Sequence, residues 1–162
     1  MTARQLKFAV VSIMLIVLQT QVMRLISLEG ITPDLLTIWI VYLAVNLGQA
    51  NGMLWGFGIG LALDLVTGNF IGLSALTKTI AGFTAGFFYN ENKIVMTLSS
   101  YRFVLSVLIV SLIHNTVYFI LFTQGTEIGL LRAFFQFGIA TTLYTSTITL
   151  LPMFVIARKS AS

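Results

Sequence analysis

The stretch "NGMLWGFGIGLALDLVTGNFIGLSAL", residues 51–76, places Gly52, Gly56, Gly60, Asp64, Gly68 and Gly72 at every fourth position of an apolar run. On a helix that spacing makes one smooth face. Small residues four apart let two helix backbones approach until van der Waals contact replaces lipid, which is how helices associate where water supplies no hydrophobic drive. The stripe therefore predicts a membrane helix built for close packing. Its carboxylate is costly, because an ionised group at the bilayer centre is disfavoured by roughly 2.5–3.5 kcal/mol on insertion scales and by less toward the interface. Three readings of Asp64 stay open: a cap on the turn around Thr67, Gly68 and Asn69, an ion pair inside the membrane, or a direct contact with a partner.

Composition extends this reading to the whole chain. Of its 162 residues, 57% are hydrophobic and 9% charged, with a mean hydropathy of +0.98. Soluble domains carry about a quarter of their residues as charges. The chain is thus expected to be an all-α polytopic membrane protein of about six spans, with no room for a separate soluble domain. A net charge of +4 and a pI near 9.7 come from basic residues scattered between apolar runs. They form no nucleic-acid patch and read as topology signals. The absence of cysteine excludes disulfides, thiol catalysis and thiolate metal sites. Arg4 and Lys7 precede an apolar run without a small-x-small cleavage site, so the first segment reads as an uncleaved span.

A single transmembrane domain, 1–162, divides into spans at about 6–26, 34–47, 52–66, 73–89, 101–122 and 130–156. Between them lie turn residues at 30–33, 48–52, 68–72, 90–93 and 125–129. The second and third spans cover only about 22 Å of a ~30 Å core, so they borrow flanking residues, thin the bilayer or, for 52–66, form a re-entrant hairpin. Pro33 and Asp34 suit the first turn of span two, where a missing N–H costs nothing and a carboxylate meets the positive helix end. Six spans put both termini on one side. Arg4, Lys7, Lys93, Arg102, Arg158 and Lys159 fall on that side, against Arg24 and Arg132 on the other, which predicts cytoplasmic termini. Glu29, Asp34 and Glu127, with the Asp64 end of span three, then face outward.

Lys78, Gly82 and Gly86 repeat the four-residue spacing on span four and predict a tight hairpin with span three. Lys78 either snorkels outward along its alkyl stem or pairs with Asp64. His114 and Asn115 fall in the outer half of span five, so four polar side chains share one layer, with an interhelical hydrogen bond expected at His114. Hydroxyls from Thr141 to Thr149 are expected to bond back to their own helix and bend it. Nothing supplies a nucleophile, a second positioned carboxylate, a metal-ligand spacing or a nucleotide loop, so neither an enzyme nor a cofactor or metal site is expected.

Residues 32–88 resemble the rod shape-determining MreD family. The features that carry the resemblance are the proline-led span of Pro33, Asp34, Leu35 and Leu36, the glycine-rich span of Gly56 and Gly60 ending in Asp64 and Leu65, and the turn of Thr67, Gly68, Gly72 and Leu73. Residues 1–31 and 89–162 match only in hydropathy. The resemblance implies a non-enzymatic inner-membrane scaffold of the bacterial elongation machinery, supporting peptidoglycan synthesis and cell shape. It further implies that an inter-helix groove receives the membrane helix of an MreC-like bitopic partner. Through that partner it implies links to RodA, a class B penicillin-binding protein and MreB, with membrane lipids around the bundle.

The family is also similar to the six-helix S subunits of energy-coupling-factor transporters, which gives the competing expectation of a vitamin-uptake subunit. Such subunits carry an Ala-x-x-x-Ala dock on helix one, whereas Ala3 and Ala9 are wrongly spaced for it. A self-associating channel or scaffold through the glycine stripes is the third class. Partner or ion-pair roles accordingly fall to Pro33, Asp34, Asp64, Lys78, His114 and Asn115, and packing roles to Gly56, Gly60, Gly68, Gly72, Gly82 and Gly86.

Overall fold

The computed structural model of the chain describes residues 3–22, 31–68, 70–123 and 134–161. Eight α-helices run through them: α1 (Ala3–Val17), α2 (Leu35–Leu47), α3 (Gln49–Thr67), α4 (Leu73–Gly86), α5 (Ile94–Leu98), α6 (Tyr101–Thr123), α7 (Ile139–Ile148) and α8 (Leu150–Ala161). Turns of π-helix, Leu18–Val22 and Phe134–Gly138, extend α1 and precede α7. The chain is a helical membrane bundle. Four stretches, Ala3–Gln21, Gln49–Thr67, Tyr101–Thr123 and Ile139–Lys159, are long and apolar enough to cross a bilayer, with Leu35–Leu47 a shorter apolar helix. Expectations that rest on Arg24, Glu29, Gly30, Asn69, Glu127, Arg132 and the 125–129 turn lie outside the described residues.

The short α2 is the axis of the bundle. Leu36, Ile40 and Leu43 pack with Ile16 of α1 and Ile59 of α3, while Val41, Ala44 and Val45 pack with Ala81, Ala85, Phe103, Val107 and Val110 of α4 and α6. A helix apolar on all sides is stable only when surrounded. Protein around most of its circumference also helps explain why 13 residues suffice here, since α2 need not span the full hydrocarbon thickness alone. The third span begins at Gln49 and runs unbroken for 19 residues, about 28 Å, so it is longer than the 15 residues expected. The fourth ends at Gly86, three residues before the expected Tyr89.

Helices α3 and α4 form the closest contact of the fold, in antiparallel register. A Cβ at Gly56 would overlap the Lys78 carbonyl, one at Gly60 the Ser74 carbonyl, one at Gly82 the Gly52 carbonyl, and one at Gly86 the Gln49 side chain. At Gly56, Gly60 and Gly82 backbone faces backbone, so no side chain can yield there. Gly68 and Gly72 depart from the packing role expected of them. They adopt φ of 67° and 99°, and no atom lies within 4 Å of a Cβ at either. Their work is to reverse the chain between the two helices in a conformation that L side chains resist.

The last apolar stretch, Ile139–Lys159, is bent. Pro152 has no N–H to offer the Ile148 carbonyl, and the helix breaks between α7 and α8 at Thr149. Hydroxyls of Thr142, Ser146, Thr147 and Thr149 donate to the carbonyls four residues back.

Candidate functional site

The alternating helices bring the end of α1, the start of α2, the end of α3, the start of α4 and the later turns of α6 to one end of the bundle. Asp34 sits at its centre. Pro33 lies one residue outside the first turn expected for it, and Asp34 itself caps α2, with Oδ1 accepting from Thr37 N at 3.0 Å. Gln19 brackets this cap: its Nε2 donates to the Pro33 carbonyl at 2.9 Å, and its Oε1 accepts from Leu35 N at 3.0 Å. Asp34 N donates to Thr145 Oγ1 of α7 at 2.9 Å. Three parts of the chain thus fix one residue.

Lys78 pairs with Asp34, not with Asp64. Its Nζ lies 2.7 Å from Asp34 Oδ2 and 3.4 Å from Thr37 Oγ1, and the side chain is 2% exposed. Snorkelling is excluded by the packing. The Lys78 backbone is pressed against Gly56, and the stem crosses toward α2, where the carboxylate waits at a helix N-terminus. His114 Nε2 approaches the same Oδ2 at 3.3 Å, giving the interhelical contact expected of it, while its Nδ1 is buried with no hydrogen-bond partner. Asn115 joins α6 to the last span, donating from Nδ2 to Thr142 Oγ1 at 2.9 Å and the Gly138 carbonyl at 3.2 Å. One half-buried carboxylate therefore holds α2, α4 and α6 together, and Asn115 adds α7.

Asp64 is a cap. Fully buried, its carboxylate accepts from Gly72 N at 2.9 Å, Ser74 N at 3.1 Å and Ala75 N at 3.3 Å, satisfying the open N–H groups at the start of α4. The cap serves α4, rather than the turn at Thr67 to Asn69 alone. We expect Asp64→Asn to lose about 1–2 kcal/mol, because one amide oxygen replaces two charged acceptors, and Asp64→Leu about 2–4 kcal/mol with several donors stranded. Thermal midpoints of the purified variants test this order. Equal midpoints for Asn and Leu would remove the cap.

Sequence reasoning missed Gln19 and Thr37, and read Thr142 and Thr145 only as hydroxyls bonding back to their own helix, whereas they also hold Asn115 and Asp34. The signal of the first two was faint, since Thr and Gln near helix ends are common. Among the described residues no group of three His, Cys, Asp or Glu side chains could hold a metal ion. The cluster instead borders a cavity of about 450 Å³, lined by Lys78, His114 and Asn115 together with Tyr118, Phe122 and Phe137. Chemically, the arrangement clamps helices and offers hydrogen bonds to something small.

The family model described as rod shape-determining protein MreD matches residues 2–159. The chain belongs to the MreD family. The match runs through both segments that had seemed alike in hydropathy only, so the family resemblance is not confined to 32–88. Membership gives the chain a role in rod shape determination and, with the apolar helices, makes it a multi-pass membrane protein. No curated protein and no solved structure matches it.

Proposed function

We propose that the chain is a non-enzymatic scaffold subunit of the bacterial elongation machinery that seats the membrane helix of an MreC-like partner, and through it supports peptidoglycan synthesis. The observation that carries this reading is the family match over 2–159. A second feature suggests where the partner sits. The first and last spans flank an apolar cleft of about 560 Å³, walled by Val11 and Leu15 on one side and Leu151, Pro152 and Val155 on the other, with Trp39 in its floor. In lipid, helices associate by shape and contact, and a groove between two lightly held helices offers both.

Orientation follows from charge. Arg4, Lys7, Lys93, Arg102, Arg158 and Lys159 fall at the end opposite the polar cluster, and this charge bias supports cytoplasmic termini with the Asp34 cluster toward the outside. A rod-shaped host depleted of its own copy is the test. The chain should restore rod shape and co-purify with the MreC-like protein, and a cytoplasmic reporter should be active after Ser162. Retained rod shape on deletion, with loss of uptake of a vitamin, would replace the scaffold by the transport subunit.

A further inference from the structure

We infer that the polar cavity beside Asp34 is a ligand site for a saccharide unit, a neutral ring with hydroxyl edges and an apolar face, borne either by a glycolipid or by a free sugar. The inference stands apart from the scaffold reading, because the cavity and the apolar cleft share no lining residue.

Charge narrows the ligand first. Lys78 Nζ is spent on Asp34, and the Asp64 carboxylate on the N–H groups of α4. With its charged groups matched internally, the cavity offers little to an anion or a cation. What it offers is uncommitted neutral hydrogen bonding. Among the described residues the side-chain oxygens of Ser74, Tyr118 and Thr141, all on the cavity wall, make no hydrogen bond. His114, on the same wall and 5% exposed, holds Nδ1 without a partner. A buried unpaired polar atom in a native fold asks for an explanation, and here its ring belongs to a cavity with hydroxyls around it.

The remaining wall is aromatic. Tyr118 and Phe122 lie nearly parallel with ring centroids 5.8 Å apart, and Phe119 and Phe137 complete the face. A few converging polar groups together with aromatic surface, in about 450 Å³, is the make-up of a small-molecule site. A sugar ring fits this lining, presenting hydroxyls to Ser74, Tyr118 and Thr141 beside the His114 ring and its C–H face to the aromatics. Packing alone would have been better served by apolar residues at Ser74 and Thr141.

The chain has a single histidine, so ¹⁵N-histidine labelling of the whole protein in nanodiscs gives a signal from His114 alone. Glucose added to the solution, and glucosyl-diacylglycerol incorporated in the disc, are the two probes. A saturable shift of the ring nitrogens with either supports the site, the lipid alone assigning a membrane source and glucose alone a soluble one. Tyr118→Phe and Thr141→Val, shown by thermal midpoint to be folded, should each weaken the response about fivefold. Gly58→Ala, on an open face of α3, should leave it unchanged. No saturable shift with either probe, or an equal response to phosphate, would overturn the inference.

Discussion

Gly82→Leu is expected to lower the thermal midpoint of the detergent-purified protein by about 5–10 °C, while Gly58→Leu leaves it unchanged. The two glycines share residue type but not surroundings. A Cβ at Gly82 meets the Gly52 carbonyl and carbon across the helix pair, whereas one at Gly58 meets nothing within 4 Å. Overpacking costs about 1–3 kcal/mol even where side chains can move aside, and a chain of this size loses about 2–4 °C per kcal/mol. Here only the backbone could move, which places the effect at the upper end. Gly56→Leu and Gly60→Leu should follow Gly82, since they abut the Lys78 and Ser74 carbonyls. Equal midpoints for the Gly82 and Gly58 variants would show that α3 and α4 do not meet along this face.

Removing one partner of the Asp34–Lys78 pair should be the most damaging single change outside the glycine ladder. Breaking a buried pair from one side costs about 3–5 kcal/mol, because the partner's charge stays buried without compensation. Asp34→Leu does more, stripping the cap of α2 and freeing Lys78 and His114 from their shared oxygen. Asp34→Asn with Lys78→Met keeps an acceptor for the α2 cap and removes both charges. The double variant should therefore be more stable than the sum of the single losses predicts, by about 1–3 kcal/mol. Strict additivity would mean that the two residues do not act as a pair.

The fold was largely legible, and the reasons are physical. Six apolar stretches separated by glycine and proline turns leave few alternatives in a bilayer, where backbone groups must be satisfied within helices. The α3 and α4 contact was written as a four-residue glycine period that few other structures would use. The polar layer was legible as a layer, since Asp64, Lys78, His114 and Asn115 all count to one end of the bundle, and the structure adds Asp34 to it. Its wiring was not. Which carboxylate Lys78 reaches depends on how α2 is rotated against α4, and α2, apolar all round, carries no periodic signal of its facing. Asp64 lay closer to Lys78 along the chain, yet its oxygens were already committed to the start of α4. Gly68 and Gly72 fell in the four-residue register by position alone, and their positive φ shows that they serve the turn.

The scaffold reading rests on a partner helix lying in the cleft between the first and last spans. A photoreactive amino acid placed at Val155, which is 69% exposed and lines that cleft, tests it in native membranes against one at Leu54, 70% exposed on α3 away from it. The account predicts a crosslink from Val155 to the membrane segment of the MreC-like protein and none from Leu54. Crosslinking from Leu54 with none from Val155, or from neither, would contradict it.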